Sequence, residues 1–333
     1  MCYVTVIASA FLGAITGSSV ATVSAMGGTI GERMIDKGYK KGYVASLIAG
    51  AGLLGVLLPP SIPLILYGAT VGVSVSSLFI GAILPGILMI LVFLIIHKLM
   101  INRVLPEENI GFINATNSSN SKRGVIFKAT PALFMPILVL GSIYTGLFTP
   151  TEAAGIACLY GLAIGVFNKS LKFKEMKTIF SFAAISAAAI LSIIAFSNMF
   201  NYMITLEQIP QTIAEYAVSM TDNKYIFLFV MSLVLFLVGM FMETNAAVLL
   251  MGILLAPAAT QFDISPIHFG IILVTNIEIG LLTPPMAANI YVSAKVNKSS
   301  LYEMLPFVTW FLIGAIFILY LIIFIPFLTT WFT

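Results

Sequence analysis

Gly280-Leu281-Leu282-Thr283-Pro284-Pro285 interrupts an apolar run, residues 267–294, that otherwise has the makings of one membrane-spanning helix. Pro284 and Pro285 carry no N–H, so the carbonyls of Gly280 and Leu281 are expected to lose their helical partners. Hydrocarbon offers nothing to replace those bonds, and such a break persists only beside protein, water or an ion. The same device stands at Gly55-Val56-Leu57-Leu58-Pro59-Pro60, within the run 43–70, where Pro59 and Pro60 free the carbonyls of Gly55 and Val56. Gly55 to Gly280 and Pro59 to Pro284 are both shifts of 225 residues. Broken helices at matching places in two halves of a chain point to a transporter's binding site.

Composition agrees with a membrane setting. Of 333 residues, 60% are hydrophobic and 9% charged, where a soluble domain carries about a quarter charged residues. Several runs approach the roughly 20 apolar residues that a helical span needs, and no strand-like alternation recurs as in a barrel. The fold class expected is an all-α polytopic membrane protein. Cys2 and Cys158 are too few for a disulfide framework or a transition-metal site. His97 and His268 fall at span ends and read as interfacial. The chain has neither a His-Glu-x-x-His pair nor a Gly-x-Ser-x-Gly turn, which argues against an intramembrane enzyme.

Working outward from the breaks, residues 3–16 and 22–31 are two apolar arms around Thr16-Gly17-Ser18-Ser19-Val20-Ala21. Neither arm is long enough to span, so a re-entrant hairpin with its tip near Gly17–Ala21 is expected, a single bent span being the alternative. A polar loop, 32–41, follows. Residues 226–242 and 246–260 frame a second polar interruption, Met242-Glu243-Thr244-Asn245, and moving Ser18-Ser19 by 225 residues lands on Glu243-Thr244. Between the tips lie five expected crossings, at 43–70, 78–100, 127–147, 151–167 and 178–204. An odd number makes the second repeat inverted with respect to the first. Segment 205–224 is amphipathic and interfacial, and 305–328 is a final span. Thr149 or Thr151 is placed to cap the helix that begins near Glu152.

Charge tests this topology independently. Of the sixteen Lys and Arg, only Lys224 falls on the side opposite the others, which run from Arg33 to Lys298. Such a bias makes the crowded side cytoplasmic, with loops 32–42, 101–126, 168–177 and 295–304 on it. The sequon at Asn114 would then face inward and is discounted.

The chemistry is expected where hairpin tips meet helix breaks. Ser18, Ser19 and Thr22 face Gly55–Ser61, while Thr244 and Asn245 face Gly280–Thr283. Hydroxyl, amide and freed carbonyl oxygens suit sodium. The candidate sodium residues are Gly17, Ser18, Ser19, Gly55, Val56 and Pro59 in one half, and Glu243, Thr244, Asn245, Gly280 and Thr283 in the other. Two equivalent cages suggest two or more sodium ions, with no transition metal and no other cofactor. The opposite half-helix ends offer N–H groups to a substrate carboxylate, with Thr22, Pro60, Ser61, Pro285 and Asn289 as candidates. Polar residues that merely join helices are the bland alternative. Glu243 and Glu278 are ionisable at membrane depth, and one of them is expected to titrate or to support a cation site; a water-filled crevice at Glu278 is the alternative.

Ile15-Thr16-Gly17-Ser18-Ser19-Val20-Ala21-Thr22, Leu58-Pro59-Pro60-Ser61, Gly146-Leu147-Phe148-Thr149-Pro150-Thr151-Glu152-Ala153-Ala154, Leu206-Glu207-Gln208-Ile209-Pro210 and Gly280–Pro285 together resemble the large, DctM-like membrane subunit of tripartite ATP-independent periplasmic (TRAP) transporters. The resemblance covers nearly the whole chain. It implies an elevator-type, sodium-coupled importer in the bacterial inner membrane, working with a small four-helix membrane subunit and a periplasmic binding protein. That protein would deliver an organic acid of the C4-dicarboxylate or sialic acid type; no nucleic acid is involved. It further implies a transport domain from 1–77 and 226–298, a scaffold from 78–225 and a C-terminal span in 299–333, with 205–224 near the docking surface. Relatives usually carry further spans before the first hairpin, so an earlier start or a missing segment is expected. A carrier independent of any binding protein, and an ion channel, are the competing readings.

The topology is open to a labelling test. With Cys2 and Cys158 replaced, a single cysteine at Lys224 is expected to react with an impermeant maleimide added to intact cells. One at Lys298 is expected to stay unlabelled until the membrane is permeabilised, and the reverse pattern would invert the topology.

Overall fold

Without water to bond to, a backbone this apolar must satisfy its polar groups within each segment, and every regular element among the described residues is helical. The computed structural model describes residues 1–105, 122–168 and 171–333. The chain divides into two units, Met1–Asn117 with Gln208–Thr333, and Ser118–Glu207. Among the described residues, seven helical runs are long and apolar enough to cross a membrane. The expected span 127–147 has a shorter apolar core, Thr130–Tyr144. Most of the expected loop 101–126, including the Asn114 sequon, and Lys169 in the loop 168–177 lie outside the described residues.

In the first unit, α1 (Cys2–Thr16) stops at Gly17, whose φ of 62° needs a residue without Cβ strain. Ser18 then caps α2 (Ser19–Met26), its hydroxyl accepting from the Ala21 N–H at 3.5 Å. α1 and α2 pack on each other, which makes the hairpin. α2 continues through a π-helical turn, Gly27–Gly31, into α3 (Glu32–Asp36). The expected polar loop 32–41 is thus helical in its first half. Gly27 and Gly31 permit this by lying against Val296 and Asn297, which leave no room for a Cβ.

The first broken helix is α4 (Lys41–Gly52), α5 (Leu54–Leu57) and, after Leu58-Pro59-Pro60, α6 (Ile62–Val71), which Ser61 caps. α7 (Val75–Val104) is a plain span. The second unit holds α8 (Lys122–Tyr144), α9 (Pro150–Phe167) and α10 (Phe173–Leu206). α8 and α9 pack together, and the Tyr160 hydroxyl donates to the Pro131 carbonyl at 2.9 Å. Of the two candidate caps, Thr149 serves: it accepts from the Glu152 N–H at 3.3 Å, while Glu152 accepts from the Thr149 N–H at 2.8 Å.

Back in the first unit, the amphipathic segment forms α11 (Ile209–Met220), which packs on the second hairpin. That hairpin is α12 (Lys224–Phe241) and α13 (Thr244–Gln261). The second broken helix is α14 (Pro266–Gly280) followed, beyond Pro284-Pro285, by α15 (Ala288–Val296). α16 (Leu301–Phe324) and α17 (Phe327–Thr330) end the chain. The Pro59–Pro60 and Pro284–Pro285 peptide bonds are both cis.

α4 and α14 are the core. Every residue from Gly42 to Gly52, and from His268 to Gly280, is buried, as a helix apolar on all sides must be. Both breaks recover some of their lost bonds. The Ile62 N–H donates to the Gly17 carbonyl at 3.3 Å, and the Met286 N–H to the Met240 carbonyl at 3.0 Å, so each hairpin serves a residue one or two places beyond the prolines. The Gly280 carbonyl, expected to be free, accepts from the Thr283 N–H at 2.9 Å. A tighter turn with bonding three residues on has replaced the helical bond. No backbone N–H among the described residues donates to the Gly55 or Val56 carbonyl.

A glycine on each hairpin's first arm touches a glycine at each break. A Cβ on Gly13 would come within 2.5 Å of Gly55 Cα, and one on Gly280 within 2.5 Å of the Gly239 carbonyl carbon. Backbone meets backbone there, so the neighbour cannot yield by turning a side chain. Gly280→Ala and Gly55→Ala are each expected to destabilise the protein by about 1–3 kcal/mol. Gly141→Ala, where nothing lies within 4 Å, is expected to leave the thermal midpoint unchanged or raise it.

Candidate functional site

The two hairpin tips are built alike. A helix ends, one or two residues turn out of helical geometry, and a polar residue caps the helix that returns. At the first tip the Thr22 hydroxyl donates to the Ser18 carbonyl at 2.8 Å and pairs with the Thr16 hydroxyl at 2.9 Å. At the second tip the cap is Glu243. Its Oε2 accepts from the N–H groups of Asn245 at 2.9 Å and Ala246 at 3.2 Å, and its Oε1 accepts from Asn245 Nδ2 at 2.8 Å. The negative charge of Glu243 thus sits on the positive end of α13.

Between the tips lies a cavity of about 80 Å³. Of the candidate sodium residues, Gly17, Ser18, Ser19, Val56, Glu243, Thr244 and Asn245 line it. Gly55 does not line it; a Cβ there would run into the Thr22 hydroxyl and the Ser18 carbonyl. Pro59, Gly280 and Thr283 belong to the adjoining breaks and do not line the cavity, although the Thr283 hydroxyl is buried without a partner. Among the candidate substrate residues, Thr22 secures the first tip and Ser61 caps α6, both fully buried. Pro60 and Pro285 lie in the breaks, outside the lining. Asn289 is also fully buried, with neither amide atom partnered, near the Ser19 carbonyl and Gly52.

The structure adds Val20, Ile62, Pro63, Leu281, Met286 and Ala288 to the walls, and Glu278 to the chemistry. Glu278 is 3% exposed, and its Oε1 accepts from the Thr244 hydroxyl at 2.8 Å. Its Oε2 has no partner among the described residues. The sequence marks Glu278 as an ionisable residue at depth, but its place between the tips depends on which way one buried helix faces. No lysine or arginine lines the cavity. Oxygens without donors occur at Glu278 and the Val56 carbonyl, both residues lining the cavity, and at Thr283 in the adjoining break, and hard oxygens of this kind are of the type that sodium takes.

Comparison with known proteins shows the family. The family model described as "Tripartite ATP-independent periplasmic transporter, DctM component" matches residues 1–328. The chain is 34% identical over 297 residues to the isethionate TRAP transporter permease protein DctMQ of Oleidesulfovibrio alaskensis, covering 88% of this chain and 46% of that protein. It is 33% identical over 321 residues to the C4-dicarboxylate TRAP transporter large permease protein DctM of Pseudomonas aeruginosa, covering 95% and 74%. It is 29% identical over 326 residues to the sialic acid TRAP transporter large permease protein SiaM of Vibrio cholerae, covering 97% and 75%. The chain therefore spans just under half the length of the first relative and about three quarters of the other two.

The capping role of Glu243 predicts a stability effect separable from transport. Glu243→Ala is expected to lower stability by on the order of 1 kcal/mol, read as a lower thermal midpoint, because two N–H groups of α13 lose their acceptor. Glu243→Asp, a residue that caps well, is expected to restore most of it.

Proposed function

Because this chain belongs to the tripartite ATP-independent periplasmic transporter family as a DctM component, we propose that it is the membrane carrier for sodium-driven uptake of an organic acid. The family is one of transporters, not enzymes. One observation carries the reading. The cavity between the hairpin tips holds two carboxylates, Glu243 and Glu278, and no basic side chain. An organic anion entering beside them is repelled unless cations accompany it, which is the electrostatic basis of obligate coupling.

Sodium ions would be held in the first half by Ser18, Ser19 and the Gly55 and Val56 carbonyls, with Gly17 and Pro59 shaping the cage. In the second half the set is Glu243, Thr244, Asn245 and Thr283, with the second lone pair of the Gly280 carbonyl. The substrate would sit near Thr22, Pro60, Ser61, Pro285 and Asn289, where half-helix N-termini offer donors. The relatives named for isethionate, C4-dicarboxylates and sialic acid all handle acids, and an acid of one of these types is the expected cargo. The two halves act as inverted repeats. Residues 1–77 and 226–298 move as a transport body, and the Gly13–Gly55 and Gly239–Gly280 contacts support this by tying each hairpin to its broken helix. The chain works in the bacterial inner membrane with a small membrane subunit and a periplasmic binding protein, its basic loops cytoplasmic.

Uptake into proteoliposomes tests the proposal, with the sodium gradient and the binding protein varied independently. Labelled succinate, sialic acid and isethionate serve as substrates, and the small subunit is supplied. Uptake is expected to require both sodium and the binding protein. Sodium-driven uptake indifferent to the binding protein would make this a stand-alone carrier. Unsaturable leak under every condition would make it a channel.

A further inference from the structure

We propose that Glu278 gives its free carboxylate oxygen directly to a monovalent cation bound between the hairpin tips. One coupling-ion site is then a charged site, unlike its neutral counterpart in the other half. The inference rests on the sodium-coupled reading above and sharpens it.

The two carboxylates at the cavity are in different situations. Glu243 is exposed, and both its oxygens are occupied by donors at the start of α13, where the helix end compensates its charge. Glu278 is buried in a helix with no exposed face, two residues before its break. One oxygen has a single neutral donor, Thr244, and the other has none. The Ser19 hydroxyl stands beside the same carboxyl, so both hairpins and the broken helix converge on it. The charged group facing Glu278 is Glu243, another anion, and no basic side chain among the described residues faces it.

A carboxylate taken out of water with one neutral hydrogen bond is strongly destabilised unless a counter-charge joins it. The protein supplies no such charge here, and the cavity that Glu278 lines is also lined by Ser18, Ser19, Thr244 and Asn245, all oxygen-bearing. A small cation there completes the donor set and cancels the charge. The repeat sharpens the point. Shifting Glu278 back by 225 residues lands on Leu53, a buried apolar residue. The first half has no carboxylate at the equivalent place. The two cages, alike in their helix breaks, therefore differ in charge, the more so because Ser18 corresponds to Glu243 by the same offset, and they are expected to bind sodium with different affinities.

Thermal unfolding of the full chain in lipid nanodiscs tests this without any transport assay. Sodium chloride is titrated against choline chloride at constant ionic strength. The unaltered chain is expected to be stabilised by sodium. In Glu278→Gln the half-saturating sodium concentration is expected to rise on the order of tenfold or more, the scale on which metal sites respond to loss of ligand support. An unchanged sodium response in Glu278→Gln would overturn the inference and leave sodium coupling intact. Identical melting of the unaltered chain in sodium and choline would overturn the sodium reading and the inference together. Should Glu278→Gln fail to fold, Glu278→Asp keeps the charge but retracts it, and its half-saturating concentration must rise; no change there would likewise overturn the proposal.

Discussion

A peptide group without a partner cannot be left in hydrocarbon, and the architecture of this chain follows from where that rule is strained. Two proline pairs remove the donors that would continue α4–α5 and α14, and each break is then enclosed by protein. α4, α5 and α14 are buried along almost their whole length. Each hairpin lends a carbonyl to an N–H one or two residues beyond a proline pair, Gly17 to Ile62 and Met240 to Met286. The hairpins are thus needed by the breaks as much as the breaks are exposed to them, and the contact is close because glycine faces glycine on both sides.

Charge is the second organiser. In a cavity without lysine or arginine, the fate of each carboxylate depends on its hydrogen bonds. Glu243 behaves as a helix cap, with its charge set against the N-terminus of α13. Glu278 is joined to the hairpin of its own half through Thr244 and keeps one oxygen without a donor. The same residue type therefore has both oxygens supplied with donors at one position and one oxygen left without a donor at the other. What separates them is the count of donors within reach, not their distance from the cavity.

The two halves share their geometry at the backbone and part company at the side chains. Paired prolines, glycine contacts and capped hairpin tips recur at offsets near 225 residues, because each solves the same backbone problem. Position 53 carries leucine where position 278 carries glutamate. A carrier whose halves were identical would hold two equal ions. By the same offset Ser18 corresponds to Glu243, so the second half carries two carboxylates at places where the first carries none.

Much of this was legible in the sequence because it is local. A proline lacks its N–H wherever it stands, so the breaks at Pro59-Pro60 and Pro284-Pro285 could be read directly. Ser18 and the Thr149–Glu152 pair announce helix starts by residue type alone, and hydrophobic length announces spans. Three matters belonged to tertiary structure. The Gly280 carbonyl was recovered by Thr283, because the chain beyond the break tightened into a turn. Gly13 and Gly239 acquired a purpose only once a helix crossed them within contact distance. Glu243 and Glu278 looked equivalent as a pair of acids at depth, since composition records neither burial nor donors. Their roles diverged through partners 34 residues apart for Thr244 and Glu278, a distance in sequence that only folding closes.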